Sequence, residues 1–197
     1  MSNLIYKNKF LYRILIKGLY GKNYLSRYKS IQKYISEGYT VTDVCSGDCA
    51  LYFNALKGLN KYVAVDINSF GITNHGIKQL KINIINDEIP SSDYVVMQGS
   101  LYQFYPHHKN IVDKLILSAK KKIIITEPIL NLASSNNFII SSIAKYMTNQ
   151  GTGYKDFRFS KDSLENFLMD NYNKNIINKE LIAGGREMLY VLKPNNG

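Results

Sequence analysis

Short apolar runs alternate with patterns of helical spacing through the middle of the chain. The runs typical of strands are 39–45, 62–66, 82–85, 94–98 and 123–126. The patterns that predict helices between them are 49–57, 71–81 and 110–121. The runs are nearly continuous in apolar residues, as expected of strands that are covered on both faces. Their alternation with helices predicts an α/β fold, in which a mostly parallel sheet carries helices on both faces.

Two helices are predicted before the first strand. The first has apolar residues at helical spacing and basic residues elsewhere on the turn. The apolar residues are Phe10, Leu11, Ile14, Leu15 and Leu19, and the basic ones are Arg13 and Lys17. Such a helix can lie on a membrane surface, but it more often packs its apolar face on its own domain. The second helix spans 24–36 and is closed by Gly38, a residue suited to a helix C-terminus.

The end of the chain departs from this alternation. Ser160 is suited to cap a helix that runs through residue 170. Two β runs follow, 176–183 and 187–192, and the segment Gly184-Gly185-Arg186 separates them. Paired glycines between two such runs are typical of a tight hairpin. The chain is therefore predicted to end with an antiparallel pair of strands added to the parallel sheet.

Composition narrows the class of protein without naming a ligand. Hydrophobic residues make up 45% of the 197 residues, which is enough for one domain with a real core. The formal net charge of +10 attracts phosphates, nucleic acids, acidic glycans or anionic lipids. The charge also has a simpler explanation, since the many Lys, Asn, Ile and Tyr residues are what AT-rich coding would give. The two cysteines, Cys45 and Cys49, supply neither a four-ligand zinc site nor a disulfide framework, so no metal and a cytoplasmic location are expected. No signal peptide or bilayer-spanning run is indicated.

The segment 41–49 carries the first chemical signal. Its pattern is a strand, a tight turn of small residues and a helix, so a ligand can approach the backbone and the free N–H groups of the helix start. Asp43, placed before the turn, suits a cationic group and would repel a pyrophosphate. Asp66 closes the second strand, where a carboxylate can accept hydrogen bonds from a ribose diol. The three-glycine pattern of dinucleotide sites is absent, which disfavours an NAD-type oxidoreductase.

This order of residues resembles the class I S-adenosylmethionine-dependent methyltransferases. The segment Asp43-x-Cys-x-Gly47-x-Cys is similar to their first motif, D/E-x-G-x-G-x-G, with cysteine in place of two glycines. Later segments, YVAVDIN, DYVVMQGSLYQF and KKIIITEP, are similar to the second, fourth and fifth strands of the family. The resemblance implies a Rossmann-like, doubly wound, mostly parallel sheet with N-terminal helices and a C-terminal antiparallel hairpin. It implies a single methyltransferase domain over 1–197, made of a helical cap at 1–38 and a Rossmann-like core at 39–197.

The resemblance also implies S-adenosyl-L-methionine as the cofactor, held at the ends of the first four strands. The residues that it places there are Asp43, Cys45, Ser46, Gly47, Asp66, Ile67, Asn86, Asp87 and Gln98. Arg27, in the helix before the first strand, is a candidate to neutralise the methionine carboxylate. The cysteine pair also admits a redox-active interpretation, although thiols at the start of a helix are usually small packing residues.

The second half of the chain resembles glycan-modifying and other small-molecule methyltransferases, which implies an acceptor of that kind, methylated at oxygen. The residues expected on the acceptor side are Tyr102, Asn131, Tyr154, Arg158 and Arg186. Arginine binds carboxylates and phosphates with two parallel hydrogen bonds, so an anionic acceptor is compatible with this set. The candidate catalytic bases are His107, His108 and Glu127.

Other functions stay open at this point. No N-P-P-Y or D-P-P-Y tetrad follows the fourth strand, where Met97-Gln98-Gly99-Ser100 stands instead, so a nucleic-acid substrate is less favoured. The net charge and the cysteine substitutions leave, as an alternative, a basic non-catalytic nucleic-acid or ligand-binding protein on a degenerate Rossmann-like fold. Peripheral membrane contact through the first helix also stays open, and no pattern indicates the oligomeric state.

Overall fold

The computed structural model describes residues 9–68, 71, 76–129 and 157–195. The helical elements are α1 (Lys9–Tyr20), a 3-10 turn (Gly21–Asn23), α2 (Tyr24–Gln32), a π-helical segment (Tyr52–Leu56), a 3-10 helix (Leu101–Phe104), α3 (His108–Ser118) and α4 (Lys161–Tyr172). The strands are β1 (Thr40–Val44), β2 (Lys61–Asp66), β3 (Ile77–Lys81), β4 (Ser92–Gln98), β5 (Ala119–Pro128), β6 (Ile176–Ile182) and β7 (Glu187–Leu192).

Seven strands of the described chain form one sheet in the order β3-β2-β1-β4-β5-β7-β6. Strands β1 to β5 pair in parallel, and β7 pairs antiparallel with both β5 and β6. The strand order reverses between β1 and β4, and a crevice therefore opens at their carboxyl ends. The predicted α/β fold with a C-terminal antiparallel pair is confirmed.

The sheet is buried on both faces. One hydrophobic cluster, under α1, α2 and the π-helical segment, contains Ile31 and Ile124. The other cluster, under α3 and α4, contains Leu115, Ile123 and Ile125. Successive residues of β5 therefore alternate between the two clusters, and all three isoleucines are fully buried. The continuous apolar runs of the sequence correspond to strands that are covered on both sides.

The connection between β2 and β3 differs from the predicted one. A helix at 71–81 and a strand at 82–85 were predicted, whereas β3 occupies Ile77–Lys81 and a turn without strand pairing occupies 82–85. Both predictions were wrong there. Because β3 is the edge strand, three of its five residues are exposed polar side chains, and the run lacks the apolar character used to recognise the other strands.

The terminal elements agree with their predictions in type and differ in length. Leu19 and Tyr20 of α1 are 7% and 3% exposed, so this helix packs on its own domain. Helix α2 ends at Gln32, four residues before the predicted end. Helix α4 extends two residues past the predicted end, and its cap is as expected, since the Ser160 side chain accepts a hydrogen bond from the Ser163 N–H. None of the helices among the described residues has the length and apolar character required to cross a bilayer.

Candidate functional site

The turn after β1 has a left-handed backbone at every second residue. Cys45, Gly47 and Cys49 have φ of +59°, +53° and +57°. Glycine adopts such values freely, whereas the Cβ of another residue in this conformation costs roughly 1–2 kcal/mol. The two cysteines therefore hold, under strain, a backbone that glycine would hold without it.

The carboxylate of Asp66 ties the end of β2 to this turn. Its Oδ2 accepts a hydrogen bond of 3.0 Å from the backbone N–H of Gly47, and its Oδ1 accepts one of 2.8 Å from the N–H of Asn68. Burial raises the pKa of Asp66, while these backbone donors act in the opposite direction. Each carboxylate oxygen has capacity for a second hydrogen bond, so a ligand hydroxyl can still be bound.

A cavity of about 130 Å³ lies beside the turn. Its described lining consists of Ser46, Gly47, Cys49, Ala64, Asp66, Asn68, Gln79, Leu80 and Lys81. A Cβ added to Gly47 would meet no described atom within 4 Å, so a ligand can approach the backbone closely there. Small-molecule sites occupy roughly 300–1,000 Å³, and a nucleoside ligand would therefore extend beyond this cavity.

Asp43 lies behind the cavity rather than in its wall. Its side chain is 4% exposed, and its carboxylate accepts a hydrogen bond from the hydroxyl of Tyr62. Burial raises the pKa of Asp43 to about 7, and the Tyr62 hydroxyl partly counteracts the rise. Strand pairing places Asp43 beside Ala64, which lines the cavity. The structure thus pairs this carboxylate with a phenol, whereas the sequence pattern favoured a direct contact with a cationic ligand.

Both cysteines are free thiols of low acidity. Burial raises the pKa of Cys49 to about 12, and it also raises the pKa of Cys45 well above its ordinary value. A thiol that keeps its proton is a poor nucleophile and a poor redox group. The pair therefore acts as small packing residues, and the structure gives the redox interpretation no support.

Arg27 forms a buried ion pair with Glu187 at the start of β7. Its Nη2 lies 2.7 Å from Oε1 of Glu187, which also accepts a hydrogen bond from the Tyr20 hydroxyl. Burial lowers the pKa of Arg27, but Glu187 and the neighbouring phenols outweigh burial, so the pKa is raised overall. The same Nη2 lies 3.8 Å from the place of a Cβ on Gly99, at the end of β4. Arg27 is thus near the crevice, but any contact with a cofactor carboxylate would be shared with Glu187.

The remaining cofactor candidates lie around the ends of β2, β3 and β4. Ile67, Asn86 and Asp87 are exposed. The Asp87 carboxylate accepts a hydrogen bond of 2.9 Å from the N–H of Asn83 and so shapes its own turn. Gln98 is half-buried, and its Nε2 has no partner among the described residues. These side chains frame the crevice, and only Gln98 offers a buried donor that is free in the described structure.

Solved methyltransferase structures are similar to this fold at low sequence identity. An O-methyltransferase family 2 protein from Planctomyces limnophilus, in complex with apigenin, has a TM-score of 0.59 and 13% identity over 92% of this chain. Human N-acetylserotonin methyltransferase, in complex with SAM, has a TM-score of 0.63 and 11% identity over 96% of this chain. Magnesium protoporphyrin IX methyltransferase from Synechocystis, with bound SAH, has a TM-score of 0.58 and 12% identity over 85% of this chain. The chain has the class I methyltransferase fold.

Sequence comparison adds nothing to this structural similarity. No protein-family model and no curated protein matches the chain. The chain spans 60% and 57% of the length of the first two solved structures, and 82% of the third. Similarity at this level of identity establishes the fold alone, because one fold can carry many functions.

The two carboxylate oxygens of Glu127, one of the candidate bases, lie in different environments. Its Oε1 accepts a hydrogen bond of 2.6 Å from the N–H of Leu101, at the start of the 3-10 helix after β4. Its Oε2 is buried and has no partner among the described residues. Burial raises the pKa of Glu127 to about 8, with the backbone donors of Leu101 and Ser100 acting against it. Glu127 therefore anchors the loop after β4 and keeps one oxygen free.

Glu127 and Glu187 lie on opposite faces of the sheet. Side chains alternate along a strand, and Ile125 belongs to the cluster under α3 and α4, so Glu127 points to that side. Leu189 belongs to the cluster under α1 and α2, so Glu187 points to the other side. Arg27 therefore forms its ion pair with Glu187. Glu127 takes part in none of the ion pairs found among the described residues.

The two histidines after β4 have different surroundings. His107 is exposed. His108 packs among aromatic rings, with ring centroids 4.3 Å from Phe167 and 5.5 Å from Tyr105. Burial lowers the pKa of His108, so its imidazole is neutral at pH 7. His108 is thus part of an aromatic cluster, whereas the structure gives His107 no partner that would orient it in the described chain.

Tyr102 and Arg158 are brought together beside this cluster. The guanidinium carbon of Arg158 lies 3.8 Å from the centroid of the Tyr102 ring, and its Nη1 donates to the carbonyl of Phe157. Burial raises the pKa of Tyr102; Arg158 acts against this, whereas Glu127 and Cys45 add to it. Tyr102 thus contacts Arg158 and lies within electrostatic reach of Glu127 and Cys45.

The other acceptor-side candidates do not join this group. Arg186 belongs to the hairpin between β6 and β7, and its Nη1 donates to the carbonyl of Leu19 in α1. Asn131 and Tyr154 lie outside the described residues. The structure thus brings together Tyr102, Arg158 and Glu127, and it gives Arg186 a role in attaching α1 to the hairpin.

Several residues that shape the site were not predicted. They are Arg13, Asp48, Tyr62, Leu101 and Glu187. Asp48 directly follows Gly47 at the start of a helical segment, where an acidic residue is itself a visible signal. The other four act through partners that are distant in sequence, and no local pattern indicates those pairings.

Proposed function

We propose that this protein is an S-adenosylmethionine-dependent methyltransferase that binds its cofactor at the carboxyl ends of β1 and β2. The observation that carries the proposal is the hydrogen bond between Asp66 and the backbone of Gly47. It places a carboxylate with spare acceptor capacity beside an open turn, which is the arrangement that a ribose diol requires. The fold supports the same location, since the crevice lies where the strand order reverses.

The residues of the turn fit such a cofactor. We expect Asp66 to bind the ribose hydroxyls, and the backbone at Ser46 and Gly47 to lie against the methionine moiety. We expect Asp43 to act on the ammonium from behind the cavity rather than by direct contact, because its side chain is buried there against Tyr62. The further proposed contacts are Arg27, Cys45, Ile67, Asn86, Asp87 and Gln98.

The proposed reaction asks the protein mainly for alignment. S-adenosylmethionine supplies a methyl group that is already activated, so positioning of the nucleophile supplies much of the catalysis. An oxygen nucleophile must also lose a proton, and Glu127, His107 and His108 are the candidate bases. Glu127 has the most favourable position of the three, because one of its oxygens is free and Tyr102 lies beside it.

The proposed acceptor is a small molecule or a glycan, methylated at oxygen. One structurally similar protein is described in complex with apigenin, and another is named as a glycopeptide N-methyltransferase. Each candidate arginine, Arg27, Arg158 or Arg186, already contacts a partner within the chain. The described contacts therefore leave none of these three side chains unpaired for binding an anionic acceptor. The free thiols of Cys45 and Cys49 fit a reducing compartment, and a cytoplasmic location belongs to the proposal.

Isothermal titration calorimetry with S-adenosylmethionine and S-adenosylhomocysteine tests the cofactor proposal. We expect both ligands to bind the wild-type protein, and Asp66→Ala to weaken binding by about tenfold or more, since a lost charge-assisted hydrogen bond is worth roughly 1.5–3 kcal/mol. Asp170→Ala, which removes an exposed carboxyl from α4, is the matched control and should bind as the wild type does.

Competing functions give different titrations. Binding of a nicotinamide dinucleotide without binding of S-adenosylmethionine would select an oxidoreductase. Salt-sensitive binding of nucleic acid with no cofactor binding would select the basic binding protein. Either result, or equal affinities of the wild type and Asp66→Ala, would contradict the proposal.

A further inference from the structure

Among the described side chains of helix α1, that of Arg13 attaches the helix to the turn after β1. Nε of Arg13 donates to Oδ2 of Asp48, and Nη2 of Arg13 donates to the backbone carbonyl of Asp48 at 3.2 Å. The guanidinium carbon also lies 5.5 Å from the centroid of the Phe53 ring. The Asp48 side chain is 3% exposed and that of Arg13 is 42% exposed. One exposed residue therefore holds both the side chain and the main chain of a buried one.

The residue that Arg13 holds stands between two left-handed positions of the turn. Gly47 precedes Asp48, and Cys49 follows it with φ of +57°. A cysteine in that conformation is strained, and strained backbone persists only where its surroundings hold it. Asp66 holds the Gly47 side of the turn and Arg13 holds the Asp48 side. The strained part of the turn is thus held from β2 and from α1.

Arg13 also balances charge at this place. Burial is the main cause of the raised pKa of Asp43, and the nearby carboxyls of Asp66 and Asp48 add to it. Arg13 forms the ion pair that the described structure provides for Asp48. Without it, Asp48 would be a buried carboxylate without a counter-ion, and such a group is strongly disfavoured.

We propose that Arg13 is a positioning residue, which holds the turn at 45–49 in the conformation that admits the cofactor, and that Cys49 makes this contact necessary. The inference rests on the proposed function, because the ligand is the proposed cofactor. Glycine at position 49 would adopt the same backbone without strain. The need for Arg13 should therefore fall when Cys49 is replaced by glycine.

A double-mutant cycle read by calorimetry with S-adenosylhomocysteine tests this dependence. We expect Arg13→Ala to weaken binding by about tenfold, equivalent to about 1.4 kcal/mol. Cys49 lines the cavity, so Cys49→Gly serves as the reference against which the combined variant is compared. The combined variant Arg13→Ala/Cys49→Gly should lose about threefold relative to Cys49→Gly rather than about tenfold, because glycine relieves the strain at position 49 but leaves Asp48 without its counter-ion. Arg13→Lys should be intermediate, because an ammonium keeps the charge but does not span the carboxylate and the carbonyl. Lys17→Ala, one turn further along α1 and exposed, is the control.

A second measurement needs no ligand. The rate of Cys49 alkylation by iodoacetamide, separated from that of Cys45 by tandem mass spectrometry, reports how often the turn opens, because Cys49 is 1% exposed. We expect Arg13→Ala to raise this rate by about tenfold through local opening, and Lys17→Ala to leave it unchanged. Thermal unfolding of each variant separates local opening from loss of the whole fold.

The two measurements distinguish the two proposals. If the wild type binds neither S-adenosylmethionine nor S-adenosylhomocysteine, the proposed function fails, and the alkylation rates still decide whether Arg13 holds the turn. Equal alkylation rates in Arg13→Ala and Lys17→Ala would overturn the inference. It would equally be overturned if the wild type binds and the losses from Arg13→Ala and Cys49→Gly simply add, since Cys49 would then not be the reason that Arg13 is needed.

Discussion

The hydroxyl of Tyr62 donates a hydrogen bond to the carboxylate of Asp43, where neither side chain is more than 4% exposed. Tyr62 on β2 and Asp43 on β1 belong to parallel strands that neighbour each other in the sheet. Burial is the largest influence on this carboxyl, and it raises the pKa of Asp43 to about 7 from an ordinary value of 3.8. A buried acid with one neutral donor therefore stands directly behind the proposed cofactor site.

The pH dependence of stability should reveal this acid. Because the folded protein binds the proton of Asp43 more tightly than the unfolded chain does, its contribution to stability is full at acid pH and is lost as pH rises from 3.8 through about 7. The free energy of unfolding of Asp43→Asn, relative to wild type, should improve by about 1 kcal/mol or more between pH 5 and pH 8. Urea denaturation at the two pH values measures it. Asp170→Asn controls for loss of a surface carboxyl, and an unchanged difference between wild type and Asp43→Asn would show that Asp43 is ionised throughout.

Glu127 should behave as an anchor whose charge is dispensable for folding. Glu127→Gln keeps an oxygen for the Leu101 N–H, whereas Glu127→Ala leaves that buried donor unpaired, at a cost of roughly 1–3 kcal/mol. The pKa of Glu127 is raised from 4.5 to about 8, so the stability of the wild type relative to Glu127→Gln should fall as pH rises across that interval, while Asp43 affects both proteins alike. Thermal unfolding between pH 5 and pH 9 measures both effects. Equal stabilities of the two variants would mean that the hydrogen bond to Leu101 contributes nothing.

Cys45 offers a direct measure of strain in the turn. Its φ of +59° is open to glycine, so Cys45→Gly should be more stable than Cys45→Ala by about 1 kcal/mol, because alanine retains the Cβ. Ala50 occupies a helical position in the same segment, where glycine is unfavourable. Ala50→Gly should therefore lower the free energy of unfolding by about 1 kcal/mol. Urea denaturation of the three variants gives the comparison. If alanine at position 45 is as stable as glycine, the turn is not strained there.

The buried pair of Arg27 and Glu187 should be strongly coupled. Arg27→Met leaves Glu187 as a buried carboxylate without its cation and should cost about 3–5 kcal/mol. The double variant Arg27→Met/Glu187→Met should recover most of that loss, since apolar residues often replace a buried pair without penalty. Lys33→Ala breaks an exposed pair with Glu180 and should cost less than about 1 kcal/mol. A double variant as unstable as Arg27→Met would show that packing, and not charge, is what the site requires.

The confirmed predictions concern segments whose hydrophobic pattern fits only one type of secondary structure. Five strands coincide with predicted apolar runs and are buried on both faces, namely β1, β2, β4, β5 and β7, and this burial is what makes the runs nearly continuous. The interval 71–85 was assigned wrongly because β3 is an exposed edge strand. Its residues Lys78, Gln79 and Lys81 give no strand signal, and pairing with β2 alone makes the segment a strand.

The sequence by itself determined the order of elements outside 71–85, the turn of small residues after β1, and the carboxyls at the ends of β1 and β2, because these depend on local spacing and on which residue types stand next to one another. Only the tertiary structure decided which groups meet. It pairs Asp43 with Tyr62, Arg27 with Glu187, and Asp48 with Arg13. It also leaves Oε2 of Glu127 without a partner among the described residues. The physical reason is that a buried polar group must find its partner across the fold, from residues whose distance along the chain carries no signal of their contact.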